Sequence, residues 1–177
     1  MPKRLKHNSR ARFNQPKLLV PSIATGSAFA ADLSGKYYFV GSGGGGGGGY
    51  AITLLPETKF SPLYLLGLLN SSLLDFYIKR TSTPFRGGFL ALNRQYIEQL
   101  PIRAIDFTNP QDKARHDRMV SLVEKMLALH QQLPSAKTAA DRDLIQRQID
   151  ATDRSIDALV YELYGFTAEE IKIVEGK

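Results

Sequence analysis

The 177 residues carry 23 Lys and Arg against 17 Asp and Glu, a formal charge of +6, and their 43% hydrophobic and 10% aromatic content suffices for one good core. There is no cysteine, which excludes disulfides, thiolate metal ligands and cysteine nucleophiles together and accords with a reducing cytoplasm. No run approaches the roughly 18 apolar residues of a membrane span, and the basic start "MPKRLKHNSRARF" leads into no apolar signal core, so the expected location is cytoplasmic, with no membrane partner.

In chain order, residues 1–15 read as a basic, disordered arm: Lys3, Arg4, Lys6, Arg10 and Arg12 have no acid among them. "PKLLVPSI" and "GKYYFVG" read as short strands, with Leu33, Ser34 and Gly35 supplying the turn before the second. Seven consecutive glycines, residues 43–49, then separate "GKYYFVG" from a third strand, "YAITLL", which ends at Pro56. Ordering each glycine costs roughly 1–2 kcal/mol of backbone entropy and buries no side chain. The run is therefore either a low-complexity insertion or a loop whose bare backbone approaches another backbone or a phosphate. It is not a Walker loop, because it ends in Tyr50 rather than Gly-Lys-Ser/Thr.

"SPLYLLGLLNSSLLDFYIKR" predicts one helix capped by Ser61, with Pro62 at its first position. Its Leu65, Leu66, Leu69, Leu73, Phe76 and Tyr77 should face the core. Lys79 and Arg80 end it, where positive charge is electrostatically favoured. "TSTPFRGG" predicts a loop and "FLAL" a short strand. Asn93 should cap "RQYIEQL", and "PIRAIDF" reads as a final extended segment.

After Asn109 the pattern changes. One apolar stripe runs through Met119, Leu122, Val123, Met126, Leu129 and Leu133, and a second through Ile145, Ile149, Thr152, Ile156, Leu159, Val160 and Leu163, with Pro134 and Ser135 between them. Two long helices folded back as an antiparallel pair follow from this. Eight bases balance eight acids over residues 112–157, so the basic excess lies in the arm and in residues 79–103. His7, His116 and His130 form no metal-ligand spacing, and Asp150, Asp153 and Asp157 read as a solvated acidic edge.

The stretch "IKRTSTPFRGGF" gathers Lys79, Arg80, Thr81, Ser82, Thr83, Phe85 and Arg86 beside two glycines. Lysine, arginine and hydroxyl groups are the usual phosphate donors, and arginine also pairs bidentately with guanine. A polar loop capping the preceding helix accounts for the same residues equally well.

The order of motifs, from "PKLLVPSI…GKYYFVGSGGGGGGGYAI" through "LLGLLNSSLLDFYIKRTSTPFRGGFLALNRQYIEQLPIR" to "IDALVYELYGFTAEEIKIVEG", resembles the TaqI-like C-terminal specificity domain. This is the target-recognition part of adenine-specific DNA methyltransferases and of fused type IIG restriction–modification enzymes. The resemblance implies an α+β target-recognition domain over residues 16–110, then a helical spacer or docking pair with a short terminal helix over 111–177. It implies double-stranded DNA and a methyltransferase catalytic domain or subunit as partners. S-adenosylmethionine would be bound by that partner and no cofactor by this chain.

Arg86 is then the leading residue for DNA contact, supported by Lys79, Arg80 and Arg94, with Ser82, Thr83 and Phe85 beside it. Ser42, Gly45 and Gly47 stand for the glycine-rich loop. The chain has neither the "NPPY"-type motif of such methyltransferases nor a PD-(D/E)xK nuclease pattern. The expectation is a non-enzymatic specificity portion: a truncated gene, a separate subunit or an excised piece. The rival expectation is an adaptor that docks a protein partner through its helical pair.

Overall fold

A strand of five residues, β1 (Lys17–Pro21), organises the first half of the protein. The structure is a computed structural model that describes residues 14–38 and 48–177. β1 is the centre of a three-stranded antiparallel sheet, between β3 (Ala30–Asp32) and β4 (Gly49–Ile52), in the register Lys17↔Asp32 and Leu18↔Ile52. Leu18 and Val20 lie in the core. One residue beyond β1 the chain changes partners. The Ser22 N–H still donates to the Gly48 carbonyl, but its own carbonyl accepts from Leu92 N–H. β2 (Ile23–Ala24) then pairs with β5 (Leu90–Ala91) in a second small sheet.

The second strand does not lie where the β-branched and aromatic residues predict it. β3 comes before the turn at residues 33–35, while residues 36–38 follow the turn outside any strand and 39–41 lie outside the described residues. The reason is electrostatic: Asp32 must stand opposite Lys17, whose Nζ it meets at 2.7 Å with both side chains 1% exposed. β4 is also shorter than "YAITLL" and stops at Ile52.

The predicted single helix is two, α1 (Pro62–Leu69) and α2 (Ser72–Thr81). Ser61 caps α1 as expected. The break comes from polar side chains that find better partners than a continuing helix offers. Asn70 accepts from Phe29 N–H at 3.0 Å and donates to the Phe29 carbonyl at 2.9 Å. Ser71 donates to the Leu68 carbonyl at 2.7 Å while accepting from Leu74 N–H. Asn and Ser compete with helical backbone bonds in just this way. α3 is a single turn (Arg94–Ile97) with Asn93 at its N-cap position, although the Asn93 side chain makes no capping bond.

α4 (Pro110–Gln132) and α5 (Ala139–Tyr164) form the antiparallel pair, joined by a tight turn at Leu133–Ser135. Asn109 caps α4, Thr138 opens α5 with a reciprocal capping box, and Gly165 ends it at φ +70°. A second capping box at Thr167 starts α6 (Ala168–Glu175). The architecture is thus the expected small α+β unit followed by a long helical pair. A single buried cluster runs from Leu18, Tyr64, Leu68 and Leu74 to Met119, Val123, Leu159 and Val160, so both parts share one core. Close approach of α1 to α4 needs Gly67, where a Cβ would meet the Met119 and Val123 side chains at 2.5 and 2.9 Å.

Residues 101–106 form no strand; they make a strap across the helices. The Arg103 carbonyl accepts from the Tyr64 hydroxyl at 2.9 Å, its N–H donates to the Tyr164 hydroxyl at 3.1 Å, and its guanidinium meets Asp112 at 3.3 Å. His116 is likewise structural. It is buried between Tyr64 and Phe107 and accepts from Ser61 N–H at 3.0 Å. The acidic edge is only partly solvated: Asp150 and Asp153 are exposed, but Asp157 is half-buried against the start of α2. Among the described residues, no helix is long and apolar enough to cross a membrane.

Candidate functional site

Where α2 ends, the chain projects a narrow hairpin. The Ser82 N–H closes the helix on the Ile78 carbonyl, and its ψ of 151° turns the backbone into an extended path. Ala91 N–H then donates to the Thr83 carbonyl at 3.0 Å, Pro84 lies opposite Leu90, and Phe85 N–H donates to the Phe89 carbonyl at 2.6 Å. The two strands converge on a single 3-10 turn at Arg86–Gly88. Gly87 and Gly88 take φ of +81° and +78°. A Cβ at Gly88 would meet nothing within 4 Å, so this glycine is required by backbone conformation rather than by space.

The hairpin tip is exposed, with Phe85 52% and Phe89 43% accessible on either side of Arg86. At its neck Thr83 Oγ1 is hydrogen-bonded to the Tyr96 hydroxyl, a bond that holds the Tyr96 phenol below its ordinary pKa and ties the hairpin to α3.

The candidate cations around this tip differ in their engagements. Lys79 pairs with Asp75 at 2.6 Å, Arg80 lies 3.4 Å over the Phe76 ring, and Arg94 pairs with Glu98 at 2.5 Å. Arg86 makes no hydrogen bond or ion pair among the described residues, which leaves all its donors to solvent or a ligand. Thr83 and Phe85 are exposed beside it.

Ser82 differs from the exposed candidates. It is 7% exposed, and its hydroxyl is buried and hydrogen-bonded to nothing among the described residues. It offers no donor at the surface. Ser42, Gly45 and Gly47 lie outside the described residues.

Sequence reasoning did not single out three residues that the structure brings forward. Phe89 mirrors Phe85 about the turn, a symmetry visible in "PFRGGF" itself. Tyr96 braces the neck from 13 residues away. Asp32 fixes the turn ahead of the glycine run through four hydrogen bonds, and no short motif marks it.

Chemically, the hairpin presents one guanidinium, unpaired among the described residues, on a strand–turn–strand tip that also exposes Phe85 and Phe89. That arrangement suits recognition of an anion or a base edge rather than bond making. Among the described residues, no group of three or more His, Cys, Asp and Glu side chains is placed to hold a metal ion.

The family of TaqI-like C-terminal specificity domains matches residues 1–102, more than half of the chain, and the match includes the whole hairpin. Over 164 residues the chain is 31% identical to a protein of Escherichia coli named type II restriction enzyme and methyltransferase RM.Eco57I. That similarity takes in 90% of this chain and 16% of the relative, so the chain spans about a sixth of the length of the curated relative it matches.

Proposed function

The chain belongs to the TaqI-like C-terminal specificity domain family, and from that premise we propose that it recognises a specific sequence of double-stranded DNA on behalf of an adenine-N6 methyltransferase or restriction–modification system. The single observation that carries this reading is Arg86: exposed, unpaired among the described residues, and set on a turn whose two left-handed glycines keep bulk away from its approach. A guanidinium so placed reaches either a backbone phosphate or the O6/N7 edge of guanine in the major groove. The phosphate role is favoured, because positioning contacts outnumber specifying ones. In this reading Phe85 and Thr83, beside Arg86 in the chain, and the exposed Lys79, Arg80 and Arg94 supply further contacts to the duplex.

In this reading methyl transfer belongs to a partner, the methyltransferase catalytic domain or subunit, which binds S-adenosylmethionine and receives the target adenine. This chain holds no cofactor. The helical pair α4–α5 is the surface by which the two parts dock.

Titration of the purified chain against duplex and single-stranded DNA at several salt concentrations tests the reading. The expected result is salt-sensitive binding with preference for duplex. Incubation with labelled S-adenosylmethionine and mixed-sequence duplex should give no transfer by the chain alone. A chain that forms a stable complex with a methyltransferase core, while neither it nor the complex gains duplex affinity from it, would replace this reading with a protein adaptor.

A further inference from the structure

The turn after β3 buries no apolar side chain of its own, yet it is fixed by one of the most constrained carboxylates in the protein. Asp32 is 2% exposed and accepts from Lys17 Nζ at 2.7 Å, Ser34 Oγ at 2.9 Å, Lys36 N–H at 3.2 Å and Tyr37 N–H at 2.9 Å. Gly35, at φ +68°, seats the turn against Asn14, whose carbonyl leaves no room for a Cβ. Desolvation of both ions offsets most of the attraction in a buried Lys–Asp pair, so such a pair is a poor source of stability. What this one secures is geometry. The residues it fixes, Lys36 and Tyr37, are both exposed, and Tyr37 is the most accessible large aromatic side chain among the described residues at 67%. They lead directly toward the glycine run in sequence.

The strand register places this turn relative to the Arg86 hairpin. Pairing of Lys17 with Asp32 puts the turn at the start of β1, and pairing of Ala24 with Leu90 puts the hairpin tip beyond the end of β2. The two turns therefore lie beyond opposite ends of the segment 17–24, which bends at Ser22 as it passes from one sheet to the other. From residue 17 to residue 24 that segment spans at most about 23 Å at ~3.3 Å per residue, and each turn projects further from its own end.

We propose that the Asp32 turn is a second duplex-contact element, in which Lys36 takes a backbone phosphate and Tyr37 lies against the adjoining sugar. Asp32 is the positioning residue for both. The proposal rests on the reading that the chain binds double-stranded DNA.

The test is a fluorescence-anisotropy titration of the 177-residue chain with a 30-base-pair duplex at several salt concentrations (about three turns of helix). The proteins are the wild type, Lys36→Ala, Tyr37→Ala, Asp32→Asn, Arg86→Ala and the double variant Lys36→Ala/Arg86→Ala. Lys36→Ala should weaken binding several-fold and lower the salt slope by about one unit, by the same amount on either background. Tyr37→Ala should weaken binding with the salt slope unchanged.

Asp32→Asn should reproduce the slope change of Lys36→Ala even though Lys36 is intact, a readout that a purely structural role would not move. If Asp32→Asn does not fold, the two surface variants still decide the matter. Wild-type affinity and slope for both, beside a weakened Arg86→Ala, would overturn the second contact and leave DNA recognition standing. Absence of duplex binding by the wild type would overturn both. Unchanged duplex affinity together with a weakened complex with a methyltransferase core would assign the turn to protein docking instead.

Discussion

Asp157 on α5 accepts two hydrogen bonds from Ser72 at the start of α2, one from its backbone N–H at 2.8 Å and one from its hydroxyl at 2.6 Å. The first satisfies a helix N-terminal donor that has no partner within its own helix. A side chain from the helical pair thus caps a helix of the α+β unit, 85 residues away in sequence. This joint holds the hairpin-bearing helix in place on the strut.

Removing the joint should be measurable. Asp157→Ala strands the Ser72 donors and should cost about 1–3 kcal/mol in chemical denaturation, whereas Asp157→Asn keeps an acceptor and should cost much less. A result in which the two variants lose equal stability would show that charge, not hydrogen bonding, makes the joint.

The pH dependence of Asp157 and Asp32 should run in opposite directions. Burial raises the Asp157 carboxyl above its ordinary value of 3.8, and the Ser72 hydrogen bonds only partly offset this. The folded protein therefore holds that proton more tightly than the unfolded chain, and acidification through and above 3.8 adds stability at this position. For Asp32, burial also pushes upward, but the bonds from Lys17, Tyr37, Ser34 and Lys36 outweigh it and hold the carboxyl well below 3.8. Its contribution is complete above the unfolded value and is lost as the pH falls through the folded one. Melting temperatures recorded from neutral pH down to strong acid should show a steeper acid loss in Asp157→Asn and a shallower one in Asp32→Asn than in the wild type.

At Gly67 two effects oppose each other. Alanine would gain about 1 kcal/mol of helix propensity, but its Cβ would stand 2.9 Å from Val123 Cγ2 and 2.5 Å from the fully buried Met119 Sδ. Overpacking of a filled core costs about 1–3 kcal/mol. Because Val123 is stiff and both neighbours are buried, the clash should win. Gly67→Ala should be destabilised, and adding Val123→Ala should recover part of the loss.

Arg86→Ala should cost about 1–3 kcal/mol of binding on a cognate duplex if the side chain reads a base, with discrimination flattened at that position. If it meets phosphate, affinity should fall alike on cognate and scrambled duplexes and the salt slope should drop by about one unit. Arg154→Ala, on the charge-balanced helical pair, is the control and should change little. Unchanged affinity for folded Arg86→Ala at every salt concentration would remove the hairpin from the interface.

Gly88→Ala separates backbone conformation from contact. With open space around the position and φ at +78°, the substitution should cost about 1–2 kcal/mol of strain at the turn. The hairpin would respond by reshaping, so duplex affinity should fall further than the melting temperature suggests. Equal behaviour of Gly88→Ala and wild type in both measurements would show that the left-handed turn is not needed.

What the sequence by itself determined is everything whose cause is local. Ser61, Thr138 and Thr167 cap helices because their hydroxyls reach N–H groups two or three residues ahead. Gly165 ends α5 because only glycine takes a positive φ freely, and the two apolar stripes demanded a helical pair. "PFRGGF" announced an exposed turn for the same reason.

What only the tertiary structure decided are the features whose partners lie far along the chain. The long helix splits at Asn70 because Phe29, 41 residues earlier, offers both halves of a peptide group. β3 forms at Ala30–Asp32, against the pull of the aromatic run that follows, because Asp32 must neutralise Lys17. Asp157 leaves the solvated edge for Ser72. In each case a buried polar group must find its complement wherever the fold brings one, and the free energy of leaving it unpaired exceeds the small differences in local propensity that a sequence displays.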